Sequence, residues 1–210
     1  MNNKFAIGIP TLNRFDLLQP ALLFYKIDFP DIKIFVVDNG NQNIQDKISN
    51  ENITVVENDK NVGVAASWNQ LCRLIYKEHD NALILNDDIY LGRKQWEVIN
   101  LIDSFKKDFF VSTQDWCAFL LPKATFESVG EFDEEFTPAY YEDNDYKYRL
   151  KLNGNSIFEI PFLNPFVYRV SKTVERNPAL KSLLGKNSIR YENKWGGKPK
   201  SEKYKRPFNI

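Results

Sequence analysis

The first 90 residues alternate between short apolar runs and segments with helical spacing, and this alternation limits the possible folds more than any other feature. Four runs have the composition of buried strands: residues 4–10, 32–37, 53–56 and 82–85. Apolar residues at helical spacing mark residues 15–27 and 64–77. Because strands that alternate with helices pair in parallel, the sequence predicts an α/β fold with a mostly parallel central sheet flanked by helices.

The later part of the chain is less regular. Residues 116–123 and 156–160 have strand patterns, and residues 124–130 and 140–152 have helical patterns. Between residues 181 and 206 the sequence has nine Lys or Arg and two Glu, so this end is strongly basic. Two interpretations stay open for it: a segment that closes over an anionic ligand, or a basic tail that is disordered or packed on the surface.

Length and charge exclude several classes of protein. The 210 residues suit one domain, and the formal net charge of zero gives no reason to expect a nucleic-acid partner. The apolar runs are far shorter than the ~20 residues of a membrane span, and the first residues do not resemble a signal peptide. We therefore expect a cytoplasmic protein without a transmembrane segment, in which Cys72 and Cys117 are buried thiols.

Polar residues follow four of the predicted strands. They occupy residues 10–14, 38–40, 58–63 and 86–88. Ligands of open parallel sheets bind beyond the carboxyl ends of the strands, so we expect these residues to line one edge of the sheet. Amide, hydroxyl and carboxylate groups in one place suit a nucleotide, with Asp38 as an acceptor for a base N–H.

Asp87 and Asp88 directly follow a buried strand. Adjacent carboxylates are the hard oxygen ligands that Mg²⁺ and Mn²⁺ prefer. A zinc site has little material, because His79 is the single histidine and the cysteines are far apart. The alternative interpretation is a solvated turn.

Glu142 and Asp143 begin a second acidic cluster at the start of a predicted helix. Carboxylates are common there because they interact favourably with the helix dipole. An oriented carboxylate can also act as a general base toward an alcohol. With one histidine in the chain, a carboxylate is the best candidate for a base.

Taken together, these residues resemble a known family. The similarity lies in the ordered motifs IPTLNR at 9–14, VVDNG at 36–40, NVG at 61–63 with Asn69, LILNDD at 83–88, GEFDE at 130–134 and YEDND at 141–145, continuing to Arg149, Leu150 and Gly154. This set resembles the family-2-type glycosyltransferases of the GT-A fold, a single Rossmann-like domain, over roughly residues 4 to 155.

The resemblance implies roles for the site residues. Six would surround the nucleotide: Pro10, Thr11 and Arg14 at its border, Asp38 at the base, and Asn61 and Gly63 along the nucleoside.

The family's Asp-any-Asp motif matches residues 86–88. Asn86 stands at its first position, where it can hydrogen-bond a ribose but adds no charge. Metal binding would then depend on Asp88, with Asp87 as a second ligand and a neighbour of the nucleotide. In the family's Glu-Asp motif the Asp usually serves as the base, so Asp143 leads and Glu142 is second. Some relatives use a downstream His as a metal ligand, and no His follows His79 here.

The implied reaction is inverting transfer of a sugar from a nucleoside-diphosphate sugar, with UDP as the preferred nucleotide, to a glycan or other hydroxyl acceptor with Mn²⁺ or Mg²⁺. We expect a catalytic domain in residues 1–170, with a nucleotide-binding half in 1–90 and an acceptor half in 91–170, and a basic C-terminal tail in 171–210. Two alternatives stay open. One is a nucleotidyltransferase, although such an enzyme would carry a Gly-rich loop after the first strand, where residues 7–14 hold one glycine. The other is a non-catalytic module that binds a nucleotide or a sugar.

Overall fold

A computed structural model describes residues 5–48, 50–92, 94, 96–97, 109–112, 115–160 and 179–210. Lys4, the first residue of the first predicted strand, lies outside the described residues. So do residues 161–178, which include the junction between the predicted acceptor half and the predicted tail.

The described residues form seven strands and six α-helices. The strands are β1 (Phe5–Thr11), β2 (Ile34–Asp38), β3 (Ile53–Glu57), β4 (Asn81–Leu85), β5 (Phe109–Ser112), β6 (Ala118–Pro122) and β7 (Ile157–Ile160). The helices are α1 (Phe15–Asp28), α2 (Ile44–Lys47), α3 (Val64–Ile75), α4 (Lys123–Val129), α5 (Glu142–Leu152) and α6 (Ala179–Trp195). Short 3₁₀ helices cover Asp115–Cys117 and Pro207–Asn209.

All seven strands belong to one sheet, in the order β3-β2-β1-β4-β6-β5-β7. Neighbours pair in parallel except that β6 runs antiparallel to both β4 and β5. The sheet is therefore mostly parallel, which confirms the predicted α/β fold. The carboxyl ends of β1 to β4 lie along one edge, as the pattern of polar residues predicts.

Helices cover both faces of this sheet. Successive residues of a strand point to opposite faces. Accordingly, Ile7 and Ile9 of β1 pack in the cluster that contains Leu18 and Tyr25 of α1, whereas Ala6 packs with Leu71 of α3. Trp68, Cys72 and Ile75 complete the buried stripe of α3. The two apolar layers hold the strand ends, and hence the polar residues after them, in fixed positions.

Several element boundaries differ from the predicted ones. The pattern at residues 116–123 is a 3₁₀ turn followed by β6, and α5 begins at Glu142 rather than at Tyr140. Helix α1 runs through Pro20, beyond its first turn, to Asp28. Cys72 and Cys117 are both buried, as expected. Among the described residues, none of the helices is long and apolar enough to cross a membrane.

Candidate active site

The ends of β1 and β4 bring Thr11 against Asp87. These strands are parallel neighbours, so their carboxyl ends meet. The Thr11 hydroxyl donates a hydrogen bond to Asp87 Oδ2 over 2.8 Å. Asp88, the next residue, is 4% exposed. The structure therefore places two adjacent carboxylates in the turn after β4, where Asp88 is buried and Asp87 is half-buried, so the turn is not a fully solvated one.

Burial and mutual repulsion make this pair unfavourable without a counter-charge. Burial, with a smaller contribution from the charge of Asp88, raises the pKa of Asp87 to about 7, whereas the hydrogen bond from Thr11 and the positive charge of Arg14 lower it. A divalent cation would offset the repulsion of the two carboxylates. No group of three or more His, Cys, Asp or Glu that could hold a metal occurs in the described part of the chain. The donor set fits a cation that takes its remaining ligands from phosphate and water, as Mg²⁺ and Mn²⁺ do.

Three other predicted nucleotide neighbours frame this pair. Pro10 precedes Thr11 in β1 and lies in register with Val37 of β2. Arg14 caps the start of α1, and its Nε donates to Asp16 over 2.9 Å. The hydrogen bond to Asp16, together with the charges of Asp16, Asp87 and Asp88, raises the pKa of Arg14. Asn86 begins the turn after β4, where its backbone N–H donates to the carbonyl of Cys117.

Asp38 holds its own loop in place. Its carboxylate is completely buried and accepts hydrogen bonds from the backbone N–H of Gly40, the backbone N–H of Gln42 and the side-chain amide of Gln42. A Cβ on Gly40 would lie 2.8 Å from the backbone nitrogen of Asn13, so the loop passes too close to the β1–α1 loop for a side chain. These local donors already occupy the oxygens of the Asp38 carboxylate. A contact between Asp38 and a nucleobase stays a prediction.

A chain of amide groups that sequence reasoning missed connects the ends of β2 and β3 with the start of α3. Asn58 donates to Asn39 over 2.8 Å and exchanges hydrogen bonds with Gln70. Asn39 in turn donates to the hydroxyl of Ser67, which donates to the carbonyl of Gly63. The sequence signal for this chain was the pair of polar residues Ser67 and Gln70, which lie about one turn apart at the start of α3.

Gly63 lies in the predicted nucleotide-binding half and packs against a later part of the chain. Its N–H donates to Asn61 Oδ1 over 2.9 Å, and its φ is +91°, which favours glycine. A Cβ there would lie 3.0 Å from the carbonyl oxygen of Pro138. That same carbonyl accepts a 2.8 Å hydrogen bond from the N–H of Val64. The loop before α5 is thus fixed beside the Asn61–Gly63 turn.

That loop ends in an uncommon backbone conformation. Tyr140 and Tyr141 have φ values of 77° and 73°, a left-handed region that bulky side chains seldom adopt. Asn187 of α6 stabilises it: its completely buried amide donates to the carbonyls of Ala139 and Tyr140 over 2.8 and 3.1 Å. The sequence carries a signal for this residue, because Asn187, Tyr191 and Trp195 recur every fourth position, the spacing of one face of a helix.

Glu142 and Asp143 follow directly on the first turn of α5. Glu142 is 6% exposed, and its Oε2 has no hydrogen-bond partner within the described residues. Burial, with a further contribution from the charge of Asp143, raises the pKa of Glu142 to about 8. Asp143 is half-buried, and its Oδ1 accepts from the backbone and side-chain nitrogens of Asn144 over 2.7 and 2.9 Å.

The basic segment contributes buried ion pairs at the back of this cluster. Lys194 contacts Asp133 over 2.8 Å and Asp145 over 2.6 Å, and its side chain is 7% exposed. Asp145 also accepts from the indole N–H of Trp195 and from Arg149. Arg190 pairs with Asp133 over 3.3 Å. These cations therefore hold α6 against α5 and the preceding loop, and contact with a diphosphate would require them to leave those pairs.

The fold resembles solved structures of low sequence identity. A mannosyltransferase from Pyrobaculum calidifontis, solved with GDP-Man and Mn²⁺, superposes with a TM-score of 0.64 at 14% identity, over 89% of this chain and 64% of that one. The structure of GalNAc-T7 with UDP, GalNAc and Mn²⁺ gives 0.66 at 11% identity, over 76% and 42%. The 4-diphosphocytidyl-2C-methyl-D-erythritol synthase from Anaerococcus prevotii gives 0.52 at 9% identity, over 86% and 97%. The chain thus spans less than two thirds of the first two proteins, and at these identities the likeness concerns the fold.

The sequence itself gives the family. No curated protein matches the chain. The family model described as glycosyl transferase family 2 matches residues 6–118, which is more than half of the 210 residues and contains every predicted nucleotide and metal residue. With its mostly parallel sheet and the polar edge of β1 to β4, the chain belongs to glycosyl transferase family 2 and has the GT-A fold.

Proposed function

We propose that this protein is an inverting glycosyltransferase that moves a sugar from a nucleoside-diphosphate sugar to an acceptor hydroxyl with a divalent metal. The observation that carries this proposal is the pair of adjacent carboxylates at the end of β4: Asp88 is buried, and Asp87 is half-buried and accepts a hydrogen bond from Thr11. Within the described residues no third acidic ligand joins them, and two such carboxylates suit a cation that is shared with a diphosphate.

In this proposal the donor lies along the edge formed by β1 to β4. Thr11, Arg14 and Pro10 border the diphosphate, and Asn86 meets the ribose. The turn from Asn61 to Gly63 and the amide chain behind it shape the nucleoside side. UDP is the preferred nucleotide because the family resemblance favours it. One related structure contains UDP and another contains GDP-Man, so both nucleotides belong in the test.

Asp143 is the proposed base. It accepts the proton of the acceptor hydroxyl, whose oxygen attacks the anomeric carbon on the face opposite the leaving nucleoside diphosphate, so the configuration inverts. Asp88 and Asp87 would hold a divalent cation, which would supply positive charge against the negative charge that grows on the diphosphate. The left-handed turn at Tyr140 and Tyr141, held by Asn187, fixes the direction in which α5 presents Asp143.

Glu142 is unsuited to the same role at neutral pH. With a pKa of about 8, its carboxyl group is mostly protonated at pH 7, which leaves little of the form that could accept a proton. A protonated Glu142 is instead available to donate a hydrogen bond to a bound acceptor, because its Oε2 has no partner among the described residues.

Incubation with a panel of UDP-sugars and GDP-sugars and Mn²⁺ tests the proposal. We expect release of nucleoside diphosphate, by slow hydrolysis where no acceptor is present. Release of pyrophosphate from a nucleoside triphosphate and a sugar phosphate would instead identify a nucleotidyltransferase. Tight nucleotide binding without any product would identify a binding module.

A further inference from the structure

A cavity of about 480 Å³ lies against the outer side of α5, away from the strand ends. Its volume falls within the ~300–1,000 Å³ of typical ligand sites. The residues that matter most are Asn144, Lys147, Tyr148 and Lys151 of α5, with Tyr191 of α6 and Lys200 of the segment that follows. Nothing in the proposed handling of the donor uses these side chains.

The cavity begins beside the proposed base. Asn144 directly follows Asp143. Lys147 lies one helical turn after Asp143, and residues four apart are neighbours on the surface of a helix. Lys147, Tyr148 and Lys151 continue the same face of α5 toward its C-terminal end. The cavity therefore runs along α5 from Asn144, the residue after the proposed base, to Ile157 at the start of β7.

The cavity carries a surplus of positive charge. Lys147, Lys151 and Lys200 are exposed, whereas Glu202 is the one carboxylate among the described residues of its lining. Glu202 is already engaged, because it accepts from the Tyr191 hydroxyl over 2.6 Å and from the N–H of Lys200 over 3.0 Å. Lys147 pairs with Glu159 over 3.1 Å. Both side chains are about half exposed, and an exposed ion pair contributes little free energy, so Lys147 can leave Glu159 for a bound anion at low cost.

The walls suit a sugar ring. Tyr148, which is 9% exposed, is held by the hydrogen bond from its hydroxyl to the carbonyl of Tyr204, and the completely buried Tyr191 supports the wall from behind through its hydrogen bond to Glu202. Pro199 and Ile157 add apolar surface on the other sides. Fixed aromatic and apolar walls with cations at the rim fit a ring that carries a negative group.

We propose that this cavity binds the anionic sugar of the acceptor, so that the acceptor of this enzyme is a glycan that carries a carboxylate or a phosphate next to the sugar that is extended. This inference rests on the proposed function, because it takes Asp143 as the group that meets the accepting hydroxyl.

Ligand-observed NMR titrations on the full chain with UDP and Mn²⁺ test it. The probes are a disaccharide that ends in glucuronate, the matched neutral disaccharide that ends in glucose, and glucose 1-phosphate. The variant replaces Lys147, Lys151 and Lys200 with Gln, and a matched control replaces the exposed residues Lys26, Lys77 and Lys94 with Gln.

We expect the wild type and the control to bind the anionic probes about tenfold more tightly than the neutral one, as three exposed charges of this kind allow. The Lys147→Gln, Lys151→Gln, Lys200→Gln variant should lose that preference and keep its affinity for UDP and Mn²⁺. Tighter binding of the glucuronate probe or of the phosphate probe tells which anion the acceptor carries. Equal binding of the charged and neutral disaccharides to the wild type, or an unchanged preference in the triple variant, overturns the proposal. The release of nucleoside diphosphate is measured separately, so failure of this site is distinguishable from failure of the proposed function.

Discussion

Glu142 and Asp143 are neighbours in the sequence, yet the start of α5 gives them different surroundings. The side chain of Glu142 is turned into the protein, where burial favours its neutral form. Asp143 lies partly at the surface. Two carboxylates with separate environments are suited to separate tasks, one as a proton acceptor and the other as a hydrogen-bond donor.

We predict that Asp143→Asn lowers sugar transfer by about 10²–10⁴, the usual contribution of a positioned base. The change is isosteric, so binding of the nucleotide and of Mn²⁺ should stay within error of the wild type. Glu142→Gln serves as the matched control and should have a smaller effect, because an amide still donates a hydrogen bond. Transfer by both variants at near wild-type rates to the true acceptor would show that this cluster only begins a helix.

Glu142 also predicts a pH dependence of stability. Its pKa is raised from 4.5 to about 8 in the folded protein, so between these values the folded state binds a proton that the unfolded state has lost. The carboxyl group therefore destabilises the fold progressively as pH rises from 4.5 to 8, and the loss is constant above that. We expect Glu142→Gln to match the wild type near pH 4.5 and to melt at an increasingly higher temperature up to pH 8. Parallel melting curves across this range would contradict the assignment.

The positions of the site residues were predictable where they follow from the local sequence. Thr11 ends β1, and Asp87 and Asp88 follow shortly after the end of β4, so the parallel pairing of β1 with β4 is enough to bring them together. The environment of Asp38 was not predictable, because its partners at Gly40 and Gln42 depend on the course of the loop. The neutral Glu142 was equally hidden, since burial of a side chain depends on elements distant in sequence.

At the scale of elements, α6 contributes more than its basic composition suggests. It buries Tyr191 and Trp195 against Phe136 and Tyr148, forming a third apolar cluster beside the two that cover the sheet. Its buried cation, Lys194, bridges two carboxylates from different parts of the chain, Asp133 and Asp145.

We predict that Lys194→Ala destabilises the protein by about 3 kcal/mol, the lower end of the range for breaking a buried ion pair. The lower end applies because Arg149 and Arg190 remain beside the two carboxylates. Lys198→Ala, a neighbouring exposed lysine, is the control and should change stability by less than about 0.5 kcal/mol. Urea denaturation measures both, and equal stabilities would mean that Lys194 is dispensable for docking α6.

A strand or helix was predictable where its own sequence shows a clear periodicity of apolar residues. Strands β1 to β4 and helix α3 have clear periodicity, and their predicted positions hold to within a few residues. Helix α6 was missed because its charged residues obscured the fourfold spacing of Asn187, Tyr191 and Trp195. The antiparallel direction of β6 has no sequence signal, since a strand of apolar residues can pair either way.

At the scale of the whole molecule, binding of the donor should be visible as stability that depends on metal. We predict that UDP at about 100 times its dissociation constant, added to the protein in saturating Mn²⁺, stabilises the fold by about 2.7 kcal/mol relative to Mn²⁺ alone, which corresponds to a rise of about 5–10 °C in melting temperature. A chelator should remove most of this rise, and so should Asp88→Asn. A shift that is unaffected by the chelator would contradict metal binding at Asp87 and Asp88.

Because of the chain of amides from Asn58 through Asn39 to Ser67, the two sides of the candidate site respond differently to pH. Amides and hydroxyls do not titrate in the range where proteins stay folded, so the proposed nucleoside side keeps the same donors and acceptors in acid and in base. The proposed metal side is made of carboxylates, and protonation of Asp87 would remove one of the two proposed metal ligands while the amide chain stays intact. Mild acid should thus separate recognition of the nucleoside from recognition of the diphosphate, which gives a way to isolate each half of the donor site in the same folded protein.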